Sequence, residues 1–170
     1  MSDSLAGRKI AITGGAGFIG HHMALALKKR GASVDVIDSL QVNNLAAFAS
    51  NPNSLPNRVL YVQLLYDRLN LLRAAGVPLH VLDLRDYQVT WRLLDELKPD
   101  TVIHLAAVAH ANTANKDPYS TFDHSLRTLE NVLDANRSRR PHFIYFSSSS
   151  RYGCFSFVNP PTQDSPVSGV

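Results

Sequence analysis

A single cysteine, Cys154, stands in this chain of 170 residues. No internal disulfide can form, and a reducing cytoplasm is the expected compartment. Long apolar runs are lacking too. No stretch approaches the length of a membrane span, and Met1-Ser2-Asp3-Ser4 opens without the apolar core of a secretion signal. Charge of one sign is scarce: 17 Lys and Arg against 14 Asp and Glu leave a formal +3. That excess is too small and too scattered for a nucleic-acid-binding face. Arg137, Arg139 and Arg140 cluster where a helix C-terminus is expected, and there they suit the dipole and solvent. The absence of Gly-x-x-x-x-Gly-Lys-Ser/Thr excludes a P-loop nucleotidase. Repeats and low-complexity tracts are missing, and no residue is assigned to a metal. With 45% hydrophobic and 18% charged residues the composition is that of a soluble globular protein. The length suits one domain and is short for a two-domain enzyme.

What is present is concentrated near the N-terminus. Ile10-Ala11-Ile12-Thr13 is a short apolar run that breaks into Gly14-Gly15-Ala16-Gly17-Phe18-Ile19-Gly20 and continues as a helix. Gly15-x-Gly17-x-x-Gly20 has the spacing of a dinucleotide-binding loop; counted from Gly14 the pattern is Gly-x-x-Gly-x-x-Gly. Side chains there would obstruct the tight turn and hold the backbone away from a pyrophosphate. The helix beginning there offers unpaired N–H groups and a partial positive charge to phosphates. Ser33-Val34-Asp35-Val36-Ile37 reads as a second buried strand with Asp38 at its end, the spacing expected of a ribose-binding acid. A carboxylate there accepts from both ribose hydroxyls and repels a 2′-phosphate. No Lys or Arg lies between Gly31 and Pro56, which favours NAD over NADP.

Strand and helix signals alternate along the chain, the pattern of a parallel sheet covered on both faces. Strands are expected near 9–13, 33–37, 79–83, 101–105 and 143–147. The first helix should run from Phe18 to Arg30 and end at Gly31; a second should start near Asp86 and stop before Lys98-Pro99. A third should begin at Asp117-Pro118, an N-cap followed by proline. Its Phe122, Leu126, Leu129 and Leu133 are expected to form one stripe facing the sheet. Within the long crossover between Asp38 and His80, Asn51–Pro56 looks like loop, while Val62, Leu65, Leu69 and Leu72 have helical spacing. The fold class is therefore α/β, a doubly wound parallel sheet (Rossmann fold) with strand order 3-2-1-4-5. Ligand is expected at the carboxyl ends of the strands, where the order reverses.

Together these motifs resemble the extended short-chain dehydrogenase/reductase superfamily, specifically its NAD-dependent sugar-nucleotide epimerases and dehydratases. Thr13–Gly20 is similar to the family's cofactor loop and Asp38 to its ribose acid. Val81-Leu82-Asp83-Leu84-Arg85-Asp86 is similar to the segment whose acid, here Asp83, contacts the adenine amino group. His104-Leu105-Ala106-Ala107 resembles the strand that passes beside the cofactor, and Ser147-Ser148-Ser149-Ser150-Arg151-Tyr152-Gly153 the serine-rich end of strand five. The resemblance implies NAD as cofactor, held by Gly14, Gly17, Phe18, Ile19, Gly20, Asp38, Asp83, Leu84, Ala106 and Ala107. It implies a nucleotide-sugar substrate whose oxidised hydroxyl is bonded by Ser148, with Ser149 as its neighbouring candidate. A transient keto sugar would follow hydride transfer to NAD. His104 is expected to be a packed strand residue; His110 and Asn112 lie where substrate or simple loop polarity would explain them.

The family's catalytic tyrosine belongs to a Tyr-x-x-x-Lys pair one helical turn apart, and the chain contains no such pair. Tyr152 is not its equivalent. Residues 1–170 are accordingly expected to form one NAD-binding domain stopping before that helix, without later strands or a C-terminal substrate domain, and inactive alone. The alternative is a non-catalytic NAD-binding sensor or regulatory protein. A methyltransferase on a related sheet is weaker, because it leaves the serine-rich strand five unexplained. Ser125 stands where the family has an asparagine that orders the active site, and Ser150-Arg151 replace small or apolar residues. The resemblance implies a homodimer, although the helix that pairs with the Asp117 helix in the family's dimer interface is among the parts expected to be missing. Strand five is expected to be an open sheet edge unless covered.

Overall fold

A computed structural model describes residues 4–41, 57–108 and 116–147. Asn51–Pro56, His110, Asn112, Ser148, Ser149, Ser150, Arg151 and Tyr152 lie outside the described residues.

Five strands form one parallel sheet: β1 (Lys9–Thr13), β2 (Ser33–Asp38), β3 (Leu79–Val81), β4 (Thr101–His104) and β5 (His142–Tyr145). Their order is β3-β2-β1-β4-β5, as the alternation of elements implied. Ile12 of β1 lies opposite Val36 on one side and Ile103 on the other. Asp38 is the last residue of β2. Strands 3, 4 and 5 end before the expected positions, but pairing runs one step further: Leu82 N–H donates to Asp38 O at 3.2 Å, Leu105 N–H to Thr13 O at 3.0 Å, and Phe146 N–H to His104 O at 3.3 Å. Among the described residues β3 and β5 are the two edges.

The two-residue period of β1 sorts the core into two layers. Ile10 and Ile12 point to one face, with Val34, Val36 and Ile103, under α1 (Phe18–Lys29) and α2 (Arg58–Ala74). Ala11 points to the other, with Ile37, Val102 and Leu94, under α3 (Tyr87–Leu97) and α5 (Thr128–Asn136). Helix α1 ends at Arg30 with Gly31 at φ +94°, as expected. Helix α2 fills the crossover and buries Leu65 and Leu72, two of the residues whose spacing announced it. Asp86 caps α3 by accepting from Val89 N–H at 3.2 Å, and Lys98 ends it in the left-handed region, just before Pro99.

The third expected helix begins correctly: Asp117 caps α4 (Pro118–Phe122), accepting from Ser120 N–H at 3.0 Å. Its stripe is wrong. Phe122, Leu126 and Leu133 are exposed, and the face turned to the sheet carries Thr128, Val132, Ala135 and Asn136. Between α4 and α5 lies one π-helical turn, Asp123–Arg127, which puts the residues of α4 out of phase with those of α5. The small Ala135 and the β-branched Val132 let α5 pack beside α3; Leu129 is half-buried, and the other three stripe residues are left outside.

Candidate functional site

The carboxyl ends of β1, β2 and β4 meet at the point where the strand order reverses. The glycine loop leaves β1 there, and three of its glycines are fixed by the protein itself. Gly14 adopts φ +67°, and a Cβ on it would lie 2.8 Å from Ala106 N. A Cβ on Gly15 would meet Val36 at 2.8 Å, and one on Gly20 would lie 2.5 Å from Gly15 Cα. Gly17 differs. Its Cβ would approach only Gly14 O, at 3.1 Å, so its open side faces away from the fold.

Gly17 is also the N-cap of α1, which has neither a side-chain cap nor an acidic residue in its first turn. Among the described residues the N–H groups of that turn therefore remain for a ligand. Phe18 and Ile19, 70% and 54% exposed, form an open rim. A backbone concavity with an open glycine, unpaired donors and a helix dipole fits a pyrophosphate in shape and in charge.

Asp38 stands beside this concavity and is 9% exposed. Its Oδ2 accepts from Ala16 N–H at 3.0 Å and its Oδ1 from Leu40 N–H at 2.8 Å. A carboxylate has about four acceptor positions, so two remain for the paired hydroxyls of a ribose. Burial pushes its pKa up, opposed by the two backbone N–H groups and by Arg68. Arg68, from α2, donates through Nη1 to Ala16 O at 3.1 Å. The Ala16 peptide is thus held at its N–H by Asp38 and at its carbonyl by Arg68.

Asp83 lies just beyond β3, next to the end of β2. Its Oδ1 accepts from Arg85 N–H at 3.0 Å, and the Arg85 guanidinium bonds both carboxylate oxygens. That hydrogen bonding holds the Asp83 carboxyl below its ordinary pKa. Arg85 also reaches Asp123 at 2.8 Å, and Asp123 pairs with Arg127 at 2.9 Å. The Leu84 side chain is buried in the core, and its carbonyl accepts from Thr90 Oγ1 and Asn131 Nδ2. Within the fold Leu84 is a packing residue.

His104 is 1% exposed, as its expected packing role requires. Its Nδ1 shares a 2.8 Å hydrogen bond with Thr13 Oγ1, its ring stacks near Phe143 and Tyr145, and its Nε2 has no hydrogen-bond partner among the described residues. Burial lowers its pKa to about 4. Beyond it, Ala106 lies against Gly14 and Ala107 is exposed. Ser125, in the π-helical turn, accepts from Val108 N–H at 3.2 Å and so ties the segment after β4 to the helix.

The structure therefore gathers Gly14, Gly17, Phe18, Ile19, Gly20, Asp38 and Ala106 at one place, with Asp83 one strand further out. Ser148 and Ser149 lie outside the described residues. Sequence reasoning missed Arg68 and Arg85. Arg68 had a signal: with Leu65 and Leu72 it lies on the buried stripe of α2, where a cation is out of place unless it has an acceptor to reach. Among the described residues no group of three or more His, Cys, Asp or Glu could hold a metal, and no helix is long and apolar enough to cross a membrane.

This chain is 28% identical to the UDP-glucose 4-epimerase of Thermus thermophilus, whose structure is a complex with NAD. The match has a TM-score of 0.69 and covers 94% of this chain and 44% of that one. The UDP-glucose 4-epimerase of Bifidobacterium longum, in complex with NAD+ and UDP, matches at 26% identity and TM-score 0.71 over 94% and 42%. In sequence, Protein CapI of Staphylococcus aureus is 31% identical over 146 residues, 85% of this chain and 39% of that protein. UDP-glucuronate 4-epimerase 5 of Arabidopsis thaliana is 29% identical over 167 residues, 95% of this chain and 35% of its own length. The chain thus spans well under half the length of these relatives. The model of the NAD dependent epimerase/dehydratase family matches residues 10–168, and the chain belongs to that family.

Proposed function

We propose that this chain binds NAD as the cofactor-binding part of a nucleotide-sugar epimerase or dehydratase, acting in the cytoplasm. One observation carries the reading: Gly17 opens outward at the start of an uncapped helix, with the Asp38 carboxylate beside it. The Gly14–Gly20 loop and the first turn of α1 would hold the pyrophosphate, and Asp38 the adenosine ribose. Asp83 would meet the adenine, with Leu84 packed in the core beside it, and Ala106 and Ala107 would border the nicotinamide. The Asp38 carboxylate orients the ribose by accepting from its hydroxyls; Ala106, by its small size, lets the ring approach β4. Bound there, NAD supplies a hydride acceptor for the sugar carbon. Ser148 and Ser149 would orient the sugar hydroxyl through their own hydroxyls.

UDP-glucose, UDP-glucuronate and UDP-arabinose are the substrates named for its relatives, and a nucleotide sugar of this class is the substrate we assign. Because these 170 residues contain no Tyr-x-x-x-Lys, they bind cofactor without turnover. The exposed Tyr119, Phe122, Leu126 and Leu133 of α4, α5 and the turn between them suit a homodimer face. Calorimetric titration with NAD is the test. A saturable one-to-one isotherm is expected, and no binding by folded protein refutes the reading. Turnover of UDP-glucose or UDP-glucuronate by the chain would refute its inactivity, and equally the alternative of a non-catalytic NAD-binding regulator.

A further inference from the structure

Asp38 by itself would make the ribose site hostile to a 2′-phosphate, and no cation within the β2 end and the residues after it up to Pro56 offsets it. The offsetting charge arrives from elsewhere. Helix α2 carries Arg68 back over the glycine loop, thirty residues after Asp38 in sequence. There its Nη1 donates to Ala16 O at 3.1 Å, while the N–H of the same Ala16 donates to Asp38 at 3.0 Å. The guanidinium and the carboxylate are close enough for each to perturb the other's ionisation.

From this geometry we infer that Arg68 is a specificity-determining residue at the adenosine ribose, moderating the exclusion of 2′-phosphorylated dinucleotide that Asp38 imposes. The inference rests on the cofactor reading above. Its physical content is a charge balance. A 2′-phosphate brings close to two negative charges to a site that holds one carboxylate and one guanidinium; the unmodified ribose brings none. Losing the guanidinium therefore penalises NADP far more than NAD. A guanidinium that only braced the Ala16 peptide would affect both dinucleotides alike.

The test measures Kd for NAD and NADP by calorimetry on the full chain, for the wild type, Arg68→Met, Arg68→Lys and Asp38→Asn. Methionine keeps the apolar stem along α2 and removes the charge. The ratio Kd(NADP)/Kd(NAD) is expected to rise roughly five- to tenfold in Arg68→Met, the effect of one partly screened charge. Arg68→Lys should restore most of the wild-type ratio. Asp38→Asn should lower it by relieving the repulsion. Raising salt should shrink the difference between wild type and Arg68→Met. Equal losses of both affinities in Arg68→Met, with the ratio unchanged, overturn the inference and leave the cofactor reading standing. Failure of the wild type to bind NAD overturns both. Circular dichroism on each variant supplies the control for folding; if Arg68→Met does not fold, the Arg68→Lys and salt arms decide, and a ratio indifferent to salt overturns the inference.

Discussion

Lowering the pH from about 7.5 to about 5 should destabilise this fold by about 2 kcal/mol through His104 alone. The His104 ring is buried, and among the described residues the groups that face it are Thr13, Phe143, Tyr145 and the backbone of Ala106, none of them anionic at neutral pH. Burial lowers its pKa from 6.5 to about 4. In the unfolded chain the imidazole takes up a proton near pH 6.5; in the fold it does so only near pH 4. Over that interval the unfolded state holds more protons, so stability is complete above the unfolded pKa and falls as pH drops through the interval. With these two values the linkage relation gives about 2 kcal/mol by pH 5 and about 3 kcal/mol when both states are protonated. Urea unfolding followed by circular dichroism at the two pH values measures the loss. The comparison is with His104→Asn, which keeps a polar atom near Thr13 but does not titrate. That variant is less stable throughout, and the quantity compared is its change with pH. His21, whose pKa burial also lowers, acts with the same sign but is present in both proteins and cancels. Asp38, raised by burial, and Asp83, lowered by its hydrogen bonds to Arg85, are shifted in opposite directions, and they too are common to both. A pH-dependent loss as large in His104→Asn as in the wild type refutes the reasoning. So does an imidazole NMR titration placing the His104 pKa above about 6.

Two further outcomes follow from the geometry. Gly17→Ala should change stability by less than about 1 kcal/mol, since Gly17 has φ −67° and its Cβ meets only Gly14 O, yet weaken NAD binding at least about tenfold by covering the open side of the loop; Gly14→Ala, with φ +67° and a backbone clash at 2.8 Å, should cost about 2–4 kcal/mol, and thermal unfolding with calorimetry separates the two. Val132→Ala should cost about 2 kcal/mol and Leu126→Asn less than about 0.5 kcal/mol in urea unfolding, because Val132 is buried and Leu126 is 49% exposed; the reverse order would mean that the helix presents its other face to the sheet.

Those two helix positions also show where sequence reasoning stops. Buried parallel strands are legible because β-branched and apolar residues crowd into short runs: Ile10–Ile12, Val34, Val36, Ile37 and Val102–Ile103 all sit in the core. Caps are legible because their chemistry is local: Asp117 accepts the expected N–H, and Asp86, near which α3 is expected to start, proves to cap it. The stripe of Phe122, Leu126, Leu129 and Leu133 failed because periodicity reports that a face is apolar without saying what covers it. A π-helical turn then broke the phase on which the stripe depended. Arg68 was missed for a related reason: a window along the chain finds cations near Asp38 in sequence, whereas the crossover helix brings one near it in space. Arg85 was hidden by its neighbour. Asp83 was assigned to a ligand on motif alone, and nothing local told that the arginine two residues on bonds both its oxygens.

The candidate site is consequently less a property of the glycine motif than of three separate chain segments that converge on it. The segment after β4 approaches Gly14 so closely that no side chain fits between, and Leu105 N–H bonds Thr13 O at the last step of β1. Val36 of β2 fills the space behind Gly15, and Asp38 at its end takes the N–H of Ala16. Arg68 of α2 takes the Ala16 carbonyl. The loop's shape is thus already held by protein groups, and Gly17 is the one glycine of the loop whose open side meets so little of the protein. A ligand entering there would order little backbone of its own, so less of its contact energy would be spent on ordering the site. The same arrangement explains why the acid and the cation stand together: Ala16 is completely buried, and both polar groups of its peptide bond require a partner. Asp38 and Arg68 are the two side chains that satisfy them.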